Sequence, residues 1–229
     1  MTIWVGSYII SLIFSKHTKA RAFNMRRSFS RIALKILGIH VTFTGEPIDE
    51  PALYVSNHRS FPDPMINCMP INAFVIAKAE VADMPVIGKG AELTGVIYVK
   101  REKKSSRSAT REKMIEVIKS GYNVLVYPQG TVNTEAVSLP FKKGTFIEAA
   151  KHGFPVVPIA MEYQDELDLW YKSHFVKQMF RQFGKRRTNV KMSIGPAMRG
   201  DDGIELSERA EQWVNDKIKE LNEGWSHMF

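Results

Sequence analysis

The chain has 229 residues, 44% of them hydrophobic, and 32 Lys and Arg against 24 Asp and Glu leave a formal charge of +8. That size supports one domain with a packed core rather than two, and the positive balance favours polyanionic partners: nucleic acid, anionic lipid or phosphorylated substrates. The single cysteine, Cys68, excludes an internal disulfide and fits a reducing, cytosolic setting, and the 6 histidines lack metal-ligand spacing, so no metal site is expected.

Residues 3–14 are an apolar run, IWVGSYIISLIF, that includes Trp4, Tyr8 and Phe14. The run is shorter than the roughly 20 residues of a spanning helix. It lacks the basic start and Ala-x-Ala exit of a cleaved secretory signal. Arg26, Arg27, Arg31 and Lys35 follow, while Phe29, Ile32, Ala33, Ile36 and Leu37 recur at three- and four-residue spacing. That spacing predicts a helix with one apolar face, ended by Gly38. Residues 1–38 are therefore expected to form amphipathic membrane-associating helices, with Trp4, Tyr8, Phe14, Arg26 and Arg27 at the lipid interface. The alternative is a buried first helix with a solvated basic side.

Short β-type runs then alternate with helical ones. Strands are expected at His40–Thr44, Ala52–Ser56, Ala73–Ala77, Val96–Lys100, Asn123–Tyr127, Pro155–Met161 and Asn189–Ile194. Several are continuously apolar, as suits strands covered on both faces. Helices are expected from about Ser106 or Ser108 to Gly121, from Gly144 to Gly153, and from about Leu206 to Leu221. The alternation predicts a single α/β domain with a mainly parallel or mixed central sheet covered by helices. In such sheets, sites collect at the carboxyl ends of strands, and His58, Arg101 and the loop Gln129-Gly130-Thr131 each follow a strand candidate.

His58 and Asp63 stand five apart in Asn57-His58-Arg59-Ser60-Phe61-Pro62-Asp63. On a helix that offset turns about 140° and separates them, so the pair meets only if the turn around Pro62 and Pro64 folds back. Met there, they form a base and its orienting carboxylate with no nucleophilic side chain, which suits a substrate that brings its own hydroxyl. The plainer reading is that Asp63 caps a helix beginning at Pro64 and His58 bonds locally.

Four later stretches bear on that choice. They are Gly95-Val96-Ile97-Tyr98-Val99-Lys100-Arg101, Tyr127-Pro128-Gln129-Gly130-Thr131, Pro140-Phe141-Lys142-Lys143-Gly144 and Pro155-Val156-Val157-Pro158-Ile159. Together with Asn57-His58 and Asp63 they resemble, in order and spacing, the motifs of the glycerolipid acyltransferases, and in particular of bacterial 1-acyl-sn-glycerol-3-phosphate acyltransferases. The resemblance covers residues 52–161 and implies an acyltransferase domain over 39–229. It implies transfer of a fatty acyl group from acyl-CoA or acyl carrier protein, as co-substrate, to the free hydroxyl of a lysophospholipid. No bound cofactor is implied. His58 becomes the general base and Asp63 its orienter. Arg101, Gln129, Gly130 and Thr131 become the grip on the acceptor phosphate, and Lys142 and Lys143 further donor or phosphate contacts. Cys68 is expected in the core.

Two positions depart from the family's pattern: Gln129 stands where the family has Glu, and Val132 where an Arg often follows Gly-Thr. They leave the proton-transfer pair intact and put acceptor choice in question. A different lyso-lipid head group and a non-catalytic lipid-binding relative therefore stay open. The aromatic and basic stretch 165–187 reads equally as a second membrane-facing patch or as a helix covering the sheet. Nucleic acid is not expected as a partner, because no recognisable nucleic-acid module is present. The expected location is the cytosolic face of the cell membrane, peripheral or monotopic, with membrane lipids as partners.

Overall fold

Seven strands form where the sequence runs apolar and β-branched, each within two residues of its expected bounds. In the computed structural model they are β1 (Ile39–Thr44), β2 (Leu53–Ser56), β3 (Ala73–Lys78), β4 (Val96–Val99), β5 (Asn123–Val126), β6 (Val156–Tyr163) and β7 (Thr188–Ile194). The structure describes residues 18–84, 87–100, 102–171, 175–223 and 225. The apolar run 3–14, with Trp4, Tyr8 and Phe14, and also Arg101, lie outside the described residues.

The strands make one mixed sheet in the order β1-β7-β6-β2-β5-β3-β4. The five strands from β6 to β4 run parallel, β7 turns antiparallel against β6, and β1 pairs parallel with β7. Both faces are covered, which is why the strands read as apolar runs rather than as alternations. On one face Leu53, Val55, Val124, Val126 and Ala160 pack against Met114 and Ile118, Phe146 and Ala149, and Ala210, Val214 and Ile218. Those side chains come from α4 (Lys104–Lys119), α5 (Gly144–His152) and α7 (Gly203–Glu223). On the other face Tyr54, Leu125, Val157, Ile159 and Met161 meet Leu34 of α1 (Lys19–Ile36), Ile66 of α2 (Asp63–Asn67), and Cys68.

Helix α4 begins at Lys104, earlier than either serine, and has no side-chain cap. The Ser106 hydroxyl accepts instead from the Lys100 backbone N–H at the end of β4, 2.9 Å away. A helix the sequence did not announce, α3 (Ile87–Leu93), contains two glycines. A Cβ at Gly88 would come within 2.1 Å of the Ala82 carbonyl oxygen, so close backbone approach overrides poor helix propensity there.

Helix α1 lies on the domain in an orientation opposite to the buried-helix alternative. It buries Ala22, Phe23, Ser30 and Leu34. Of the expected apolar stripe, Ile32 and Ile36 stay outside, 41% and 78% exposed, Phe29 and Ala33 are half-buried, and Leu37 packs on the core. Arg26 and Arg27, expected at the lipid interface, turn toward the domain. Arg26 donates to the carbonyls of Thr94 and Ala73 at 3.0 and 2.8 Å, and Arg27 to the Asn72 side chain at 2.7 Å. The guanidinium fork of Arg26 thus engages two backbone carbonyls at once. Helix α6 (Phe175–Phe183) lies near the carboxyl end of α1, where Gly38 packs against the Arg186 carbonyl.

Candidate active site

β2 is central, between β5 and β6, so the loops after β2 and β5 open side by side at one rim. Just past β2, the Asn57 side chain donates to the Met161 carbonyl and accepts from the Met161 N–H, both at 2.8 Å. That clamp fixes the turn to β6. The His58 backbone then bonds to the β5 loop twice. Its N–H donates to Gln129 Oε1 at 2.7 Å, and its carbonyl accepts from the Asn133 N–H at 2.8 Å.

The turn does fold back. His58 Nδ1 lies 2.7 Å from Asp63 Oδ2, with the imidazole 19% exposed and the carboxylate fully buried. The imidazole stacks on Tyr127, ring centroids 4.2 Å apart. With Nδ1 committed to Asp63, Nε2 is the ring nitrogen left to exchange a proton with a substrate.

Asp63 does not cap α2. The N-cap is Pro62, and no side-chain cap bond forms. Pro62 and Asp63 place the carboxylate so that it points backward into the turn. Oδ2 accepts the backbone N–H groups of Arg59 and Ser60 at 2.6 and 2.8 Å as well as the imidazole, and Oδ1 accepts the Tyr163 hydroxyl at 2.6 Å. Four donors converge on one buried carboxylate, so its position is over-determined. Burial, with the Asp63 charge beside it, holds the Tyr163 phenol well above its ordinary pKa, which keeps it a donor.

The β5 loop is held from below by Arg59. Its guanidinium donates to the carbonyls of Asn133 and Glu135, and to Glu162 Oε2 at 2.6 Å, with Arg59 2% and Glu162 5% exposed at the side chain. Burial raises the Glu162 pKa, opposed by the Arg59 charge. In the loop itself Gly130 has φ 75°, and a Cβ there would stand 2.5 Å from Lys142 Nζ. The exposed Lys142 ammonium thus lies across the glycine, beside half-buried Thr131. Gln129 is buried, and its Nε2 has no protein acceptor. Lys143 turns the other way and pairs with Glu208 of α7 at 2.8 Å, so the expected donor or phosphate contact at Lys143 is drawn off to a surface ion pair. Val99, the end of β4, lies three strands from β2, about 14 Å along the rim.

Residues 40–162, more than half of the chain, match the family described as Acyltransferase. The chain belongs to the acyltransferase family. It is similar to a chloroplastic 1-acyl-sn-glycerol-3-phosphate acyltransferase of Brassica napus, 38% identical over 115 residues that make up 49% of this chain and 33% of that one. It is 29% identical to the lyso-ornithine lipid O-acyltransferase of Rhodobacter capsulatus, over 58% of this chain and 49% of that one. A 1-acyl-sn-glycerol-3-phosphate acyltransferase of Borreliella burgdorferi is 28% identical over 61% of this chain and 58% of its own. The chain thus spans between a third and three-fifths of these relatives. The crystal structure of the 1-acyl-sn-glycerophosphate (LPA) acyltransferase from Thermotoga maritima shares the fold, with TM-score 0.71, 22% identity, and coverage of 96% of this chain and 90% of that one.

In this acyltransferase chain the structure brings together His58, Asp63, Gln129, Gly130, Thr131 and Lys142. Tyr163 and the Arg59–Glu162 pair were not anticipated. Glu162 and Tyr163 end an apolar strand, and polar residues there are a visible hint. Their partners lie 103 and 100 residues away in sequence, beyond any local pattern.

Proposed function

We propose that this chain transfers a fatty acyl group from acyl-CoA or acyl carrier protein to the free hydroxyl of a lysophospholipid, with lysophosphatidic acid as the first acceptor. The observation that carries it is the His58–Asp63 pair, 2.7 Å apart at the rim. His58 Nε2 takes the proton of the acceptor hydroxyl as that oxygen attacks the thioester carbonyl. The tetrahedral intermediate collapses, the C–S bond breaks, and the imidazolium returns the proton to the departing sulfur. Asp63 holds the imidazole by Nδ1 and stabilises it while charged. Lys142, the Gly130 backbone and Thr131 offer the acceptor phosphate a charge and donors, and Arg101 completes that grip. Residues 1–38 anchor the chain at the interface, the outward Ile32 and Ile36 of α1 entering lipid beside Arg31 and Lys35.

Protein with acyl-CoA and lysophosphatidic acid is expected to release free thiol, and His58→Ala to abolish release while the circular dichroism spectrum is unchanged. Equal release by both proteins would refute the proposal. A second acceptor class is favoured by one observation: the Gln129 amide is uncharged and Val132 brings no cation, which leaves the grip less positive than the resemblance implies. A panel of lyso-lipids, an amino-acid-headed one included, separates the two by relative kcat/KM.

A further inference from the structure

Helix α6 buries two glutamines and exposes a phenylalanine. A surface helix normally turns its apolar stripe to the core and its polar side to water. Here Gln178 and Gln182, one turn apart on the same face, are 1% and 2% exposed, while Phe180 on the opposite face is 76% exposed. The buried glutamines bind backbone and turn. Gln178 donates to the Leu169 carbonyl at 3.0 Å, and Gln182 to the Asp168 carbonyl at 2.9 Å and to the Ser60 hydroxyl. Ser60 in turn donates to the Asp168 carbonyl at 2.8 Å, the Trp170 N–H donates to the Arg59 carbonyl at 2.9 Å, and the Phe61 and Trp170 rings meet at 5.4 Å. The polar side of α6 is therefore latched to the turn that carries His58 and Asp63, while Phe183 packs on the core and Phe180 is turned away from the protein.

We infer that α6 is a lipid-facing helix that enters the membrane interface by Phe180 and seats the catalytic turn at that depth. The chemistry of the surroundings selects a bilayer with anionic headgroups. Arg181, Arg186 and Arg187 are exposed along and just beyond the helix, whereas Asp165 and Asp168 are both occupied by Lys185. The surface is also continuous with the outward stripe of α1. Gly38, two residues after Ile36, abuts the carbonyl of Arg186, three residues after the end of α6, and its own carbonyl oxygen accepts from the Thr188 N–H at 2.9 Å. Two helices with exposed apolar side chains, Ile32 and Ile36 on one and Phe180 on the other, thus end at one corner, rimmed by cations, as an interface-seated protein requires. A lysophospholipid held with its head at the rim and its chain in that lipid would present its hydroxyl to His58. This inference rests on the lysophospholipid reading for that last step and on α6 alone for the lipid contact.

The test uses the full chain with vesicles of phosphatidylcholine and phosphatidylglycerol, and two variants. Phe180→Trp is expected to emit as a solvent-exposed indole in buffer, and to shift blue and be quenched when vesicles with bromine on the acyl chains are added, relative to the same signal from wild type. Phe180→Asp is expected to weaken vesicle binding at least about tenfold and to raise KM for long-chain lysophosphatidic acid in vesicles. Its kcat/KM for a dispersed short-chain acceptor should stay at the wild-type value. An added indole that is already blue-shifted without vesicles and unquenched with them would mean that residues 3–14 or a second copy cover the helix, and would overturn the inference. Unchanged vesicle binding by Phe180→Asp would overturn it too. Absence of His58-dependent thiol release from every acceptor would instead refute the enzymatic reading and leave the quenching result to stand on its own.

Discussion

Asp63→Asn isolates what the buried carboxylate does for the base. The amide keeps the shape, and one orientation serves the site. Its oxygen takes the place of Oδ2, before the imidazole and two backbone N–H groups, while its NH2 meets the Tyr163 oxygen, which can rotate its proton away and accept. The fold should therefore survive. Three bonds lose charge assistance of about 1 kcal/mol each, which corresponds to a melting temperature lower by roughly 6–12 °C for a chain of this size. Catalysis should lose more. An imidazolium and a carboxylate with charge centres about 4 Å apart interact by about 4 kcal/mol at an effective dielectric of 20. The partly exposed imidazole of this site recovers some of that from water. A fall in kcat of roughly 10²- to 10³-fold is expected, at 1.36 kcal/mol per decade. The assay is thiol release with saturating acceptor, alongside thermal unfolding followed by circular dichroism. A folded Asp63→Asn protein within about tenfold of wild-type kcat would refute the role given to the carboxylate.

Arg59→Met leaves Glu162 buried without its cation and should cost about 3–5 kcal/mol, measured as a shift in the urea midpoint, while Arg59→Met with Glu162→Gln should recover part of it. No recovery in the double variant would count against the pair as the cause. Gln129→Leu removes the acceptor of the His58 N–H and should destabilise by about 1–3 kcal/mol, whereas Gln129→Glu keeps an acceptor oxygen and should retain acyl transfer. Equal loss in both would show that the hydrogen bond is not what matters there. Tyr163 and Tyr127 are both pushed well above the usual tyrosine pKa by burial first and by the Asp63 charge second. Their contribution to stability is therefore complete below about pH 10, where unfolded tyrosine is still protonated, and is lost as pH rises toward the folded values. Urea midpoints should fall above that point, less steeply in Tyr163→Phe, and a flat alkaline limb would contradict it.

The architecture was legible because both faces of the sheet are covered. Runs such as Val124-Leu125-Val126 mark fully buried strands without any alternation to interpret. The meeting of His58 and Asp63 was legible for a different reason: the prolines around Asp63 break regular structure there and permit a turn. What the turn does with Asp63 was not legible, because capping and orienting place a carboxylate at the same sequence position and differ only in the direction it faces. α1 and α6 show the same limit. Periodicity announces that a helix has an apolar stripe, but not which of its residues face outward, and in both helices polar groups that find backbone carbonyls inside decide the orientation. In α1 those groups are Arg26 and Arg27, which a count of positive charges assigns to the outside.

The central placement of β2 has a consequence for synthesis. Leu53 pairs with Val124 on one side and with Val156 on the other, 71 and 103 residues later in the chain. At the usual pace of translation, about 5–20 residues per second, the strand that leads into the catalytic turn spends several seconds with both edges unpaired. It is an apolar, aggregation-competent segment for that time. The ribosome-bound chain is thus exposed at its candidate site, and until β6 emerges neither the Met161 partner of Asn57 nor the Tyr163 partner of Asp63 exists. The turn takes its observed form only after residue 163 has emerged, and a nascent chain stalled before residue 156 has His58 without the strand that holds its turn in place.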